Sequence, residues 1–324
     1  MPGWPENTRL KQYPLASQST TSLTGATLNF DFPKTGFLSA LTVLITGTLT
    51  GTPSTPVATG MAGLISRVRL IANAGIDIVN VSGIGYHFGL RDYLGTLVDP
   101  VPQASARNAS ESGAFDLSMY FPICMNDRDP LGILNLQNED TQLRLSVEVA
   151  AATALANDFS AITLTVAPHL EIFTAPRDPK DWPPFLFAHS MTEEQQTVAA
   201  AGDVNWSWPR GGIYAQVIHL LGVAAAGADA YSRLIVRLNQ TDNIMDATPA
   251  YLSRLVSRYR GRTRVAGVAP IDLLSWSGLG NFGSGRDLID TRELTDISSI
   301  ITATSAVTMR TIKRQLLPLR QSQA

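Results

Sequence analysis

Side chains that could carry catalysis or hold a metal are thinly spread along these 324 residues. Four histidines, His87, His169, His189 and His219, stand at no spacing that would place two of them on one helix face or one strand face as ligands. His219 lies inside an apolar run and reads as a hydrogen-bonded interior or interface residue. One cysteine, Cys124, excludes an intrachain disulfide and a thiolate cluster, and reads as a small buried apolar residue. Glycan cleavage would need two carboxylates at a fixed separation. Glu148 and Glu171 fall in strand-like runs and Asp287, Asp290 and Glu293 gather near a loop, with nothing around them that marks burial or pairing. GLGNFGSG, residues 278 to 285, precedes a strand pattern rather than the helix that a phosphate loop requires. No nucleophile elbow is present. The expectation is a chain with no catalytic residue, no metal and no cofactor.

Cations and aromatics do recur at spacings that suit binding. RYRGRTR places Arg258, Arg260, Arg262 and Arg264 after a helix, where guanidinium forks could take phosphate or a neighbouring subunit's carboxylates; a solvated helix end fits equally well. Near the C-terminus, Lys313, Arg314 and Arg320 surround leucines and could touch an anionic membrane surface. Arg9 and Lys11 belong to a polar N-terminal stretch. Phe30 and Phe32, and again Trp206 and Trp208, lie two apart, so each pair forms a stripe on one strand face. Such a stripe serves packing in a core or interface, or stacks on sugar rings; its recurrence favours packing.

Those aromatics sit in a phrase that is written twice: NFDFPKTGF from Asn29 and NWSWPRGGI from Asn205. The repetition extends. RVRLIANAGIDI from Arg67 lies without gaps on RLIVRLNQTDNI from Arg233, so that Asn73 meets Asn239 and Ile78 meets Ile244. The same register continues into two helical segments, GIGYHFGLRDYLG and PAYLSRLVSRYRG, in which Tyr93 meets Tyr259 and Gly95 meets Gly261. Ser82 and Thr248 stand at N-cap positions, Pro249 at a first helical position and the two glycines at the stops. Further strand-like runs then match, up to ITLTVAPHLEIF in one half and VTMRTIKRQLLPL in the other, with spacing lost only across loops.

The elements that carry these residues read as strands almost throughout, short alternating runs of Val, Ile, Leu and Thr between Gly, Pro, Asn and Asp. Residues 35 to 66 carry no charge, but their Thr, Gly and Pro content fits a long strand and a loop rather than a membrane span. The fold class is all-β: two tandem eight-stranded jelly rolls, that is β-sandwiches, each with a short helix inserted between strands. An immunoglobulin-like sandwich is the competitor, with fewer strands and no reason to keep a helix in the same place twice. The expected boundaries are an N-terminal arm at 1–23, a first jelly roll at 24–173, a Pro-rich linker at 174–185, a second jelly roll at 186–318 and a tail at 319–324.

The formal net charge of −2 argues against a genome-coating protein and against direct sequence-specific nucleic-acid binding. Charged residues make up 16% of the chain, against about 25% in an ordinary soluble domain, as expected when much of the exterior packs against other subunits. The first twenty residues lack the apolar core of a secretory signal, so use without export is expected.

Through the two copies of the phrase, the paired helices and the two closing strand sets, the whole chain resembles the double jelly-roll major capsid proteins of tailless icosahedral viruses, the adenovirus-like lineage with an internal membrane. The resemblance is one of architecture. It implies a homotrimer whose six similar sandwiches make a pseudo-hexagonal capsomer, tiling an icosahedral virion shell assembled in the host cytoplasm. Its partners would be neighbouring capsomers, minor capsid or penton proteins, and an internal viral membrane. By that analogy Phe30, Phe32, Trp206, Trp208 and the four arginines are interface candidates, while Arg9, Lys11, Lys313, Arg314 and Arg320 face the membrane or a neighbour. Short links at NAG (73–75) and NDRDP (126–130) imply low outer loops. The alternative is a two-domain jelly-roll carbohydrate-binding protein or glycan hydrolase.

Overall fold

The structure, a computed structural model, describes residues 8–51, 60–73, 75–90, 113–124, 131–138, 142–152, 155, 159–183, 185, 187–222, 228–273, 288–292 and 294–319. Tyr93, Gly95, NDRDP (126–130), GLGNFGSG (278–285), Asp287, Glu293 and Arg320 lie outside the described residues. The chain divides into two compact units: Met1–Tyr86, Thr96–Met191 and Pro318–Ala324 form the first, His87–Gly95 and Thr192–Leu317 the second.

Among the described residues ten strands lie in the first unit: β1 (Leu10–Pro14), β2 (Gln18–Thr20), β3 (Ala26–Asp31), β4 (Phe37–Gly51), β5 (Ile65–Ala72), β6 (Ile76–Val81), β7 (Gly113–Pro122), β8 (Leu134–Asn135), β9 (Leu143–Val149) and β10 (Phe159–Phe173). One sheet has the order β1-β10-β4-β7, with β2 also on β10 and the short β8 on β4. The other carries β6, β5, β9 and β3 in that order. In β10 the side chains of Ile162, Leu164, Val166, Leu170 and Ile172 are buried at every second or fourth position, the period a strand must have to give one face to a core.

β11 (Phe187–Val198) contains the division between the units. The second unit continues with β12 (Gly202–Ser207), β13 (Ile213–Leu221), β14 (Tyr231–Leu238), β15 (Asp242–Ala247), β16 (Val268–Asp272), β17 (Ile289–Asp290), β18 (Ile297–Ala303) and β19 (Val307–Pro318). Its sheets are β16-β13-β19-β11, with β17 on β13, and β12-β18-β14-β15. Reading β11 for β1, β12 for β3, β13 for β4 and so on to β19 for β10 turns one set of orders into the other. Each unit is therefore a jelly roll of eight principal strands, with β2 and β8 as short extra strands in the first and β17 in the second, as the duplicated sequence implies. Trp206, Trp208, Tyr214, Val217, Tyr231, Leu234, Leu252, Ile301 and Met309 are among the residues that fill the second core.

A helix follows the fifth principal strand in both units. After β6, Gly83–Gly85 is α-helical and a π-helical turn, Tyr86–Leu90, follows, whose residues from His87 on belong to the second unit. In the second, the helix is Pro249–Arg260. Ser82 accepts from the Gly85 amide at 2.9 Å and Thr248 from the Tyr251 amide at 3.4 Å, so both caps are used. Gly261 ends the longer helix at φ 63°, a left-handed stop that glycine adopts without strain.

The repeated phrase is the corner at which the chain leaves one sheet for the other, from β3 to β4 and from β12 to β13. Gly36, at φ 71°, lies so close to the closing strand that a Cβ would meet the Phe173 carbonyl oxygen at 2.5 Å. Its duplicate Gly212 would place a Cβ 2.9 Å from Gln315 Oε1 and 3.4 Å from the Leu316 carbonyl. Each glycine's carbonyl also accepts an amide just past the short extra strand, from Leu136 at 3.0 Å and from Thr291 at 3.1 Å.

Two expected boundaries fall elsewhere. The segment expected as an arm is paired from Leu10 onward, with Leu10 opposite Phe173 and Pro14 opposite His169. All five residues of β1 are exposed and include a lysine and a proline, a composition that suits an edge strand and hides it from a search for apolar alternation. The Pro-rich segment 174–185, expected as the boundary, belongs to the first unit, and the division falls later, within β11. Trp182 and Phe185 each pack edge-on to Phe37 at 5.5 Å, and Trp182 Nε1 donates to the Pro176 carbonyl at 3.0 Å.

The duplicated Asn73 and Asn239 both adopt the left-handed region, at φ 50° and 47°. Asn73 Oδ1 accepts from the Gln142 amide at 2.8 Å, and Asn239 Oδ1 from the Thr295 amide at 3.1 Å and the Thr295 hydroxyl at 2.8 Å. Each hairpin tip is thereby tied to the strand beside it. Asn73→Ala and Asn239→Ala are each expected to lower stability by about 1–2 kcal/mol, since alanine loses the side-chain bond and disfavours this backbone. Asn→Gly should cost less. Urea denaturation of the four variants checks both statements.

Candidate functional site

Among the described residues no group of three or more His, Cys, Asp or Glu could hold a metal ion. Nor is any described helix long and apolar enough to cross a membrane. His189 Nδ1 lies 3.1 Å from the Pro122 carbonyl and His169 Nδ1 3.2 Å from the Ala167 carbonyl, so these two rings are engaged with backbone. Glu148 is on β9 and Glu171 on β10, strands of different sheets, and Asp290 is taken by Arg292 at 2.5 Å. Cys124 is buried beside Phe37 and Ile133.

The arginine run divides two and two. Arg264 is buried and grips Asp229 with both ends of its fork, at 2.8 and 2.6 Å, while also donating to Ser253 Oγ at 3.0 Å and the Val268 carbonyl at 2.8 Å. Partial burial pushes the Asp229 carboxyl upward, but the bonds from Arg264 and from the Gly267 amide outweigh it and hold the group below its ordinary range. Arg260 binds Asp272 through Nε at 2.9 Å and Nη2 at 2.5 Å. Arg258 and Arg262 point outward, Arg258 lying 5.2 Å over the Tyr259 ring. The left-handed Gly261 interrupts the run, so a spacing of two gives neither a helix face nor a strand face.

Lys313 and Arg314, expected at a membrane or a neighbour, are buried in β19. Lys313 Nζ pairs with Glu194, and Arg310 on the same strand reaches Glu193 at 2.8 Å. Arg314 donates to Gln216 Oε1 at 3.2 Å, and its burial lowers the guanidinium to about 10. Arg9 and Lys11 remain on the exposed edge strand side, with the Arg9 amide donating to Thr174 Oγ1 at 2.9 Å.

The aromatic stripe is mostly interior, which replaces the interface role expected of it. Phe30, Trp206 and Trp208 are buried, and Phe32 is half-buried. Trp208 Nε1 donates to Ser299 Oγ at 2.8 Å and its ring lies 4.8 Å from Tyr214, whose hydroxyl returns to the Pro209 carbonyl at 2.8 Å. Trp206 Nε1 donates to Glu194 Oε2 at 3.1 Å, and its ring meets His219 edge-on at 5.5 Å. These rings offer no open platform for a sugar. His219 is fully enclosed, its Nδ1 2.9 Å from Thr311 Oγ1, and burial lowers it from 6.5 to about 3. Sequence reasoning missed Glu193 and Glu194 as internal counter-ions; two adjacent acids at the end of an apolar run were the available signal.

Among the described residues the exposed large apolar side chains are a short set: Leu10 and Tyr13 on β1, Ile76 and Ile244 near the two hairpin tips, and Tyr251 on the long helix. The candidate functional surface is thus made of strand edges and hairpin ends.

No protein-family model matches the sequence, and no curated protein matches it. Solved structures do. The chain is similar to the STIV MCP, with 12% identity, 95% of this chain and 97% of that one covered, and a TM-score of 0.67. It is similar to the PBCV-1 virus capsid, with 11% identity, 96% and 94% covered, and a TM-score of 0.66. With the major capsid protein P2 from bacteriophage PM2 it shares 10% identity over 97% and 99% of the chains, at a TM-score of 0.63. The fold is the double jelly roll of these proteins.

Two outcomes test the assignments made to charged and titrating groups. Arg264→Met should destabilise the chain by about 2–4 kcal/mol, less than for a sealed ion pair because Asp229 stays partly exposed, whereas Arg258→Ala should leave the denaturation midpoint nearly unchanged. His219 in the folded chain, at about 3, titrates below its unfolded value of 6.5, so the unfolded state takes up a proton first as the pH falls. The stability gained from a neutral ring is complete above about pH 6.5 and is lost toward pH 3, by up to about 1.4 kcal/mol per pH unit. Denaturation between pH 7 and pH 5 should show this slope in the wild type, and His219→Asn should lack it.

Proposed function

We propose that this chain is a structural major capsid protein whose copies associate as trimers and tile an icosahedral virion shell. The observation that carries the reading is the match to the STIV MCP over 95% of this chain at a TM-score of 0.67, which includes both jelly rolls and not one shared module. A single sandwich is a scaffold for many functions. Two in tandem, extending across almost the full length of several viral capsid proteins, is a far narrower arrangement.

The physical logic agrees with it. Six similar sandwiches in three chains can occupy the six sides of a hexagonal tile, so a closed lattice is filled with half as many subunits as a single-domain protein would need. Low surface charge suits a molecule that spends most of its perimeter against neighbours. In this reading the chain carries out no reaction, its contacts are other capsomers and the minor proteins of the shell, and the shell is assembled in the host cytoplasm over an internal membrane.

Purified full-length protein is expected to elute from size-exclusion chromatography with the light-scattering mass of a trimer, and concentrated trimer to form sheets or shells visible by negative-stain microscopy. A protein that stays monomeric at every concentration and binds glycans on an array would favour the carbohydrate-binding alternative instead.

A further inference from the structure

We propose that the outward face of the long helix, Pro249–Arg260, seats on the outer face of β4 and β10 in the first unit of a second copy, around Leu44 and His169. The inference rests on the self-association read above and names a surface for it.

The register between the two halves can be followed residue by residue along the paired strands. β4 slips against β10 at Ser39, between Leu38 opposite Ile172 and Ala40 opposite Glu171; β13 slips against β19 at Ala215, between Tyr214 opposite Gln315 and Gln216 opposite Arg314. The same irregularity in the same place makes Thr42 the counterpart of Ile218, Leu44 of Leu220 and His169 of Ile312. These residues point away from the cores, because the ones that alternate with them, Leu41, Val43 and Ile45 on β4 and Val217 and Leu221 on β13, fill the interiors.

Within the second unit that outer face is covered. His87–Leu90 belongs to this unit, and a Cβ on Gly89 would overlap Ile312 Cδ1 and lie 3.6 Å from Leu220 Cδ1. Ile218, Leu220 and Ile312 are at most 1% exposed. In the first unit their counterparts Thr42, Leu44 and His169 are half-buried, and Thr46 and Thr48 beyond them are exposed.

The covering element has a counterpart too. With Ser82 and Thr248 as equivalent N-caps, Gly89 corresponds to Leu255 on the long helix. Leu255 is half-buried, and Tyr251, Arg254 and Arg258 stand around it at helical spacing on the solvent side, with Tyr251 51% exposed. No acid occurs in this helix, and among the described residues no ion pair holds Arg254 or Arg258. Duplication has therefore written a helical segment and the sheet face that receives it twice. One pair is joined within the second unit, and the other leaves both surfaces in water.

The chemistry of the open pair suits surfaces that meet water before they meet each other. The covered face is aliphatic; the open one places a hydroxyl and an imidazole beside Leu44, and the helix brings two guanidinium groups and a phenol, which bury carbon while still bonding to polar groups. Charge favours the same pairing. The first unit holds 11 Lys and Arg against 15 Asp and Glu, the second 14 against 12, so a contact from the second unit to the first unit of another copy joins opposite signs. Two different surfaces meet, which makes the contact head to tail and able to close a ring.

The test uses full-length protein. Leu44→Arg, and the double change Arg254→Glu with Arg258→Glu, should each weaken association by about tenfold or more in sedimentation equilibrium. Arg210→Glu, which reverses an exposed arginine elsewhere on the second unit, should change it by less than about twofold. Leu255→Cys combined with Leu44→Cys should give on oxidation covalent species of two and three chains and none larger, while Leu255→Cys with Thr50→Cys, further along the same strand, should give neither; the native Cys124 is buried. Unchanged melting curves would show that the reversed variants fold, and the cross-link reads the contact without them. Association that is equal in wild type and the reversed variants, with no species of two or three chains, would overturn the helix contact and leave self-association standing. A wild type that stays monomeric at every concentration would overturn both.

Discussion

Each sandwich depends on a corner at which the chain leaves one sheet and enters the other without losing the apolar faces between them. The corner has little freedom. Pro33 and Pro209 turn the backbone, and four residues later a strand must start directly against the strand that closes the sheet, Phe37 opposite Phe173 and Ile213 opposite Leu316. At that approach a side chain on Gly36 would overlap the Phe173 carbonyl, and the extended pairing of β4 with β10 could not begin where it does. The aromatic residues before the proline fill the wedge that the turn opens. In the second unit Trp208 does this with its indole N–H satisfied by Ser299, so a bulky ring enters the core at no cost in buried polar groups. A phrase with this many constraints in nine residues is conserved between the two halves because the geometry of the corner is the same in both.

The cations of the second unit are used differently from what a low-charge chain suggests. Arg260, Arg264, Arg310 and Lys313 each meet an acid within the unit, Asp272, Asp229, Glu193 and Glu194, and Arg314 lies buried in the same sheet as Arg310 and Lys313. Pairs of this kind add little net stability compared with apolar replacements, but breaking one leaves an uncompensated charge. They act as register marks. Glu194 illustrates this by joining Lys313 of β19 to Trp206 of β12, which belong to opposite sheets. With these cations internal, the exterior is still more neutral than a charged content of 16% implies. Neutral flanks of this sort favour contacts made by shape, backbone and a few apolar side chains over contacts made by charge.

Much of the fold was legible because it is written in local terms. Alternation marked the strands, Ser82, Thr248 and Gly261 marked the helix ends, and the matching of Asn73 to Asn239 recurred as two left-handed residues with equivalent side-chain bonds. What stayed hidden depended on distant partners. Lys313 and Arg314 look like a basic tail until Glu194 and Gln216, roughly a hundred residues upstream, are brought beside them. β1 has no apolar face and becomes a strand only because β10 provides a free edge. The arginine run reads as one patch, yet Gly261 turns the chain so that Arg260 and Arg264 face inward and Arg258 and Arg262 outward. Spacing alone carries no record of a left-handed residue within it.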